Sequence, residues 1–373
     1  MSKKRFSSDE TILALDLGTS CVKAVMARPC DNETLEIIGS GIAKQFSSSM
    51  NAGAIMDIPA VTSACEQAIG AAEKISDIRA KTAIVGISGE FVKSKTSTIR
   101  YRRSSQDSPI SEAEMSLLLK KVQEKNQEIA RKEISIETAS PNAEIRLINS
   151  SVVSVEIDGC SVNNPIGFRG SEVKVRFYTA FAPLVQVSAI EKVCAELSLD
   201  LLAIAVEPFA ISRAYIKDGD DTSCIMIDVG DGTTDVALVE KGGIDGTQTF
   251  SIGADSFKKD SSMWLSGLEI VLEELASQEL PPEIILSGGG SKNLDLCELL
   301  AVSDWYKKLK FSHRPSVSLL DNNKLVGFSY DASVFEINEL YITALGLLRV
   351  ACDILADAPD RKLHHKLAKL LQH

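Results

Sequence analysis

Two short Gly-rich turns, each set between apolar runs and each entered through an aspartate, constrain this chain more than anything else in its 373 residues. The first is Ile12-Leu13-Ala14-Leu15-Asp16-Leu17-Gly18-Thr19-Ser20, followed by Cys21-Val22-Lys23. The second is Ile225-Met226-Ile227-Asp228-Val229-Gly230-Asp231-Gly232-Thr233-Thr234-Asp235, leading into Val236-Ala237-Leu238-Val239. Apolar run, tight turn and apolar run read as a β-hairpin. Glycine at the turn lets backbone N–H groups approach a phosphate chain where a Cβ would block them. One D-x-G turn is an ordinary hairpin; a matched pair predicts two hairpins gripping one nucleotide from opposite sides.

A third element completes the set. Ile284-Ile285-Leu286-Ser287-Gly288-Gly289-Gly290-Ser291 is a buried strand running into three glycines, suited to flat packing against a base or ribose. Phosphate loop, phosphate loop and glycine run, in that order, resemble the actin/Hsp70/sugar-kinase superfamily. Within it the chain is similar to the FtsA family of bacterial cell-division actin homologues, and to the related PilM family of pilus-assembly proteins. The likeness is carried by GTSCVKAV at 18–25, LEIIGSG at 35–41 and NAGAIMDI at 51–58, and by AIVGISG at 83–89 and NPIGFRG at 164–170, where the family's inserted subdomain begins and closes. It spans roughly residues 10–255.

The resemblance implies an α/β fold class: an actin-like (ribonuclease H-like) bilobed ATPase fold with an inserted small α+β (SHS2-type) subdomain. It assigns residues 1–82 and 169–220 to the first lobe, with a return helix at 336–358, residues 83–168 to the insert, and 221–335 to the second lobe. It also implies ATP and Mg²⁺ as cofactors, leaving open whether ATP is hydrolysed at more than a weak or slow rate. Asp16 and Asp228 are the expected Mg²⁺-side carboxylates, acting through water, because Mg²⁺ favours one or two carboxylates plus waters. Lys23, on the outgoing strand, would reach the β- or γ-phosphate; its alternative is a surface lysine on an edge strand. Gly18, Gly230, Gly232, Gly288, Gly289 and Gly290 would offer backbone, and Thr19, Ser20, Thr233 and Thr234 hydroxyls. Asp231 adds negative charge and would work through Mg²⁺ or water. In Val206-Glu207-Pro208-Phe209-Ala210, the resemblance places Glu207 where a carboxylate orients the attacking water. The alternative is a residue that merely favours the start of the helix opening at Pro208.

Elsewhere, periodicity predicts three strands within 11–46 and a helix over 59–74 with Val61, Ala64, Cys65, Ala68 and Ile69 on one face. The insert reads as a strand, a solvated polar arm at 100–108 bearing Arg100, Arg102 and Arg103, a capped helix from Ser111 through 125, and strands at 134–138, 143–147 and 152–157. A strand over 173–182, a helix over 187–197 and a strand over 201–207 follow. Between Gly253 and Ser287 the resembled families carry an entire subdomain, whereas 254–278 holds one or two helices, with Leu265, Leu268, Ile270, Val271, Leu272 and Leu275 as the apolar face. One wall of the expected cleft is therefore missing or reduced, and with it the usual support for adenine specificity and for longitudinal filament contacts.

A net charge of −11 excludes nucleic acid as the main partner. Eight cysteines without a CxxC pair read as small buried hydrophobes of a reducing cytosol. No signal peptide or membrane-spanning run is visible. The last residues carry an amphipathic pattern: Leu363, Leu367, Leu370 and Leu371 on one helical face, with Arg361, Lys362, Lys366 and Lys369 around them. The expectation is a cytoplasmic protein, peripheral on the inner face of the cell membrane, held on anionic lipid by this tail at 359–373 and by the avidity of self-association. The alternative is a tail docked on the body. The resemblance implies an FtsZ-type tubulin homologue as partner and a division scaffold as function; the alternative is a PilM-like adaptor gripping a peptide of an inner-membrane pilus protein. A sugar or acetate kinase is disfavoured because no substrate-binding domain is evident.

Overall fold

Strand β1 (Ile12–Leu17) is buried along its whole length, so both of its faces must be covered and both of its edges paired. The computed structural model describes residues 11–30, 34–46, 48–217, 220–276, 278–292, 294–325, 327–331 and 338–355; the expected tail at 359–373 lies outside the described residues. β1 pairs antiparallel with β2 (Cys21–Pro29), which pairs with β3 (Leu35–Lys44). A two-residue ladder, β4 (Met50–Asn51) and β5 (Ala54–Ile55), leads to helix α1 (Ile58–Ser76) and to β6 (Thr82–Ile87), which lies parallel to β1. The Asp57 carboxylate caps α1 by accepting from the Ala60 N–H at 3.0 Å, and Pro59 sits in the first turn. The predicted apolar face is the buried one. It lies on the sheet at van der Waals distance because Gly39 and Gly41 present no side chain: a Cβ on Gly41 would stand 2.0 Å from the Ala68 carbonyl oxygen.

The insert departs more from its sequence reading. β7 (Lys93–Arg102) takes in Arg100 and Arg102, and helix α2 runs from Glu112 to Glu137. The strand expected at 134–138 is the last turn of α2. Val122, Ala130 and Ile134 extend the buried face begun by Met115, Leu118 and Leu119, whose first turns, through Val122, pack on the sheet. β8 (Ile145–Ile157) merges two expected strands, β9 (Cys160–Val162) folds back on it, and β10 (Glu172–Pro183) pairs with both β7 and β8. The four-stranded sheet thus runs β7-β10-β8-β9 and draws in a strand from beyond residue 168. Arg103 is no solvated arm. Its side chain is buried, with Nε 2.7 Å from Glu114 Oε1 and its guanidinium donating to the Ser108 and Gly170 carbonyls.

Helix α3 (Leu184–Glu196), β11 (Asp200–Val206) and helix α4 (Glu207–Tyr215) complete the first lobe's path, with β11 parallel to β6. The second lobe repeats the opening motif. β12 (Cys224–Val229) and β13 (Thr234–Glu240) form a hairpin, and β14 (Gly243–Phe250) adds to β13. Helices α5 (Ala254–Phe257) and α6 (Ser261–Leu275) occupy the short interval. On α6 the buried anchor is Trp264, packed against Phe250 and Phe257, whereas Ile270, expected on the apolar face, is 57 % exposed. β15 (Glu283–Ser287) lies parallel to β12, helix α7 (Leu294–Val302) follows, and β16 (Ser316–Leu319) closes that sheet. β17 (Phe328–Tyr330) pairs with β3, so the chain has recrossed to the first sheet before residue 335. Helix α8 (Ile342–Leu355) is buried for most of its length between the first sheet and α4. Gly346 permits the contact, since a Cβ there would meet the Ala210 carbonyl at 2.4 Å.

Two glycines of this region should respond in opposite directions. Gly41→Ala drives a methyl group into backbone and should cost about 3 kcal/mol. Gly70→Ala lies on the open side of α1, where an added Cβ meets nothing within 4 Å, and should stabilise by about 0.5–1 kcal/mol. Urea unfolding of the two variants checks both signs.

Candidate functional site

The two hairpins are local copies of each other. In β1–β2 the register sets Asp16 opposite Lys23, and in β12–β13 it sets Asp228 opposite Asp235. Each hairpin has a parallel strand beside its first arm, β6 in one lobe and β15 in the other. Their turns meet: a Cβ on Gly232 would lie 3.0 Å from the Thr19 side chain. Between them lies a cleft lined by Asp16, Gly18, Thr19, Ser20, Lys23, Glu207, Asp228, Gly230, Asp231, Thr233, Gly288 and Gly289.

Three sequence-predicted residues do not line the cleft. Gly232 is under Thr19, and Gly290 is packed against Val229 and Ala254. Thr234 is fully buried in the second lobe, donating to the Ile252 carbonyl at 2.7 Å and accepting from Trp264 Nε1 at 2.9 Å. In its stead the cleft takes Asp235, which sequence reasoning missed; Cys21, Glu339 and Thr343 also line it. Two signals were available. Asp235 follows Asp228 by the same seven residues that separate Lys23 from Asp16. Side chains also alternate along a strand, so Thr233 and Asp235 share a face that Thr234 cannot.

The electrostatics are unbalanced. Lys23 Nζ lies 3.0 Å from Asp16 Oδ2, and both side chains are largely buried. Burial opposes the Lys23 charge, but Asp16 and Glu207 outweigh it and raise its pKa. That ammonium, the one cationic side chain lining the cleft among the described residues, shares it with three buried carboxyls, Asp16, Glu207 and Asp235, and the half-buried Asp228. Asp228 accepts from Ser287 Oγ at 2.6 Å, yet burial, with Asp16 adding to it, pushes its pKa up to about 6. Asp235 accepts from Thr249 and is pushed by burial to about 8. Glu207 is raised well above the ordinary range, first by burial and then by Asp16 and Asp235. Its carboxyl sits over Gly86, where a Cβ would be 2.7 Å from Oε1. The N–H of the preceding Val206 donates to Asn149 Oδ1 at 2.6 Å, which fixes the start of α4. Among the described residues no three carboxylates or other protein ligands converge closely enough to hold a metal directly. The donor set therefore fits a hard cation carried largely by phosphate and water, with one or two carboxylates behind the water.

Comparison with known proteins follows the same lines. The cell-division protein FtsA of Neisseria meningitidis is 26 % identical over 256 residues, 67 % of this chain and 57 % of that protein. FtsA of Pseudomonas aeruginosa is 24 % identical over 287 residues, 76 % of this chain and 64 % of that one. Among solved structures, a chain of the PilM–PilN type IV pilus biogenesis complex superposes with a TM-score of 0.64 at 16 % identity, covering 91 % of this chain and 98 % of that chain. The fold is actin-like, and the chain is similar to FtsA in sequence and to the PilM-complex chain in structure. No protein-family model matches it. The chain spans 57 % and 64 % of the two FtsA relatives' lengths. Among the described residues no helix is long and apolar enough to cross a membrane.

In this actin-like cleft the carboxyls with raised pKa make stability fall as pH rises. An acid whose folded pKa exceeds its unfolded 3.8 holds a proton that the unfolded chain has released. The folded state thus loses ground from pH 3.8 up to about 6 for Asp228 and about 8 for Asp235. Asp235→Asn, which removes the charge and can still accept from Thr249, should raise the melting temperature of the nucleotide-free protein at pH 8. The gain should vanish near pH 4; an equal gain at both pH values would count against a buried, charge-penalised Asp235.

Proposed function

We propose that this chain is a nucleotide-dependent scaffold of the cell-division kind. It binds ATP with Mg²⁺ between the two hairpins, self-associates, and tethers an FtsZ-type tubulin homologue to the inner face of the cytoplasmic membrane. The observation that carries the nucleotide site is the facing of Asp16–Lys23 by Asp228–Asp235 across a glycine-walled cleft. Similarity to FtsA over 67 % and 76 % of the chain supports the division reading.

The residues divide the work. Lys23 is paired with Asp16, so a polyphosphate entering the cleft competes for the ammonium and frees the Asp16 carboxylate to receive a metal-bound water. Mg²⁺, when bound, would neutralise phosphate charge beside the carboxyls. Asp228, held by Ser287, receives a second such water. Glu207, whose pKa is raised first by burial and then by Asp16 and Asp235, is the carboxyl that would orient the attacking water. At the other end of the cleft Leu340 lies over Gly289, and Lys292 Nζ is 2.7 Å from Glu339. With only α5 and α6 between β14 and β15, the purine gains little cover from the second lobe.

A second reading, a PilM-like adaptor that grips a peptide of an inner-membrane partner, is favoured by extent: the alignment covers 98 % of the solved PilM-complex chain but far less of each FtsA relative. Pull-down of the full chain with FtsZ polymer and with a PilN-type cytoplasmic peptide separates the two.

Titration calorimetry with Mg·ATP should give saturable binding that Asp228→Asn and Lys23→Ala each weaken at least tenfold. Unchanged affinity in both variants would remove the site from the hairpins. For the membrane, co-sedimentation with anionic vesicles should fall as salt rises, since basic residues near such a surface contribute about 1 kcal/mol each and are screened. It should be lost in a Leu367→Glu/Leu370→Glu variant. Wild-type sedimentation of that variant assigns the tail to the body of the protein instead.

A further inference from the structure

The insert sheet touches both lobes at one side chain. Tyr178, on β10, is completely buried; its ring stacks on Phe209 with centroids 5.4 Å apart and planes 11° from parallel. Its hydroxyl lies 2.9 Å from Thr247 Oγ1 on β14 of the second lobe. The donors around this contact can be assigned by counting protons. Ser94 Oγ, on β7, has one proton, which it gives to the Thr247 carbonyl at 2.6 Å. It accepts from the Thr247 N–H at 2.9 Å and from Thr247 Oγ1 at 2.8 Å. Thr247 has then spent its own proton, so Tyr178 must be the donor to Thr247. Tyr178 thus reaches β14 through its hydroxyl and, through its ring, the helix carrying Glu207.

Both ends of the link lie two residues from the cleft. Phe209 follows Glu207 on α4. Thr249, on the same face of β14 as Thr247, donates to Asp235. The insert reinforces the contact along the edge of β14: Thr96 Oγ1 donates to the Ile244 carbonyl at 3.0 Å, and Arg176 pairs with Glu240 and Asp245. A rotation of one lobe against the other that moves Thr247 away from Phe209 must break either the ring stack or the hydroxyl bond.

We propose that Tyr178 is a positioning residue that couples the insert to the nucleotide cleft. It fixes the spacing of Phe209 and Thr247 and hence of Glu207 and Asp235. The insert then reports which closure state the cleft is in, and a partner bound on the insert biases that closure in return. This rests on the nucleotide reading above.

The test uses the full chain and Mg·ATP, with hydrogen–deuterium exchange of β7 and β14 as readout, since exchange does not require hydrolysis. In wild type, Mg·ATP should slow exchange in the turns at 17–20 and 230–233 and also in β7 (93–102). Tyr178→Phe keeps the ring stack and loses the donor. It should bind Mg·ATP within about threefold of wild type and keep protection of the turns. The nucleotide-dependent protection of β7 should fall about 3- to 10-fold, the scale of one net hydrogen bond. Thr247→Val should reproduce that loss and Thr247→Ser should restore wild-type behaviour; this pair carries the test if Tyr178→Phe does not fold. Protection of β7 that persists in Tyr178→Phe and Thr247→Val, or that is absent from wild type bound to Mg·ATP, overturns the coupling alone. A wild-type chain that does not bind Mg·ATP overturns the nucleotide site and the coupling with it.

Discussion

The contact between Lys23 and Asp16 is where the cleft's electrostatics are decided. One ammonium must serve three carboxyls of the two hairpins and Glu207 at the start of α4, and geometry gives it to Asp16, its cross-strand partner. Asp228 and Asp235 are left to hydrogen bonds from Ser287 and Thr249, and burial raises the pKa of Glu207. Burying a charge without a partner is expensive, and groups so placed shift their pKa rather than stay ionised. The cleft is therefore loaded against itself, and under the nucleotide reading proposed above a ligand that brings its own cations would relieve the imbalance.

That loading is tolerated because the surrounding backbone is packed at distances only glycine allows. Gly86 leaves room for the Glu207 carboxyl, Gly41 for the α1 carbonyls and Gly346 for α4. Gly288, with φ of +84°, turns the chain so tightly past Val229 and Asp228 that a Cβ would lie 2.6–2.9 Å from their atoms. These approaches fix the carboxyl-bearing elements within each lobe, Glu207 beside β6 in the first and Asp228 beside β15 in the second.

Much of this was legible in the sequence, and the failures share a cause. The paired hairpins and the face of α1 follow from local pattern alone, because turn glycines and helical periodicity act over a few residues; the shortened interval before Ser287 follows from the family resemblance. The strand expected at 134–138 failed because the alternation in Ile134-Ser135-Ile136-Glu137-Thr138 suits a strand, while Ile134 continues the buried helical stripe of Val122, Asn126 and Ala130. Arg103 was read as solvated because its partner Glu114 lies across a turn. Thr234 and Asp235 were misassigned for a different reason: residue type outweighed strand alternation, which would have sent the threonine to the Trp264 core and the aspartate to the cleft.

The insert also bears on the shortened second lobe. An edge strand such as β14 exposes unpaired backbone groups that invite pairing with another chain. Here the Ile244 and Thr247 carbonyls and the Thr247 N–H are taken by hydroxyls of Ser94 and Thr96 from β7. Side-chain hydroxyls, unlike a full β-ladder, cap an edge through a few bonds that can be exchanged singly. The contact is thus specific enough to orient the insert on the second lobe yet light enough to change as the lobes move. Beyond β14, helix α6 closes the lobe on its own core of Trp264, Phe250 and Phe257. The lobe therefore keeps a core of its own on that face without a further subdomain. Its other face, with Met226, Ala237, Val239 and Ile285, shares a core with α4 of the first lobe, and the hairpin turns, the Lys292–Glu339 pair and the insert around Tyr178 add to that registration.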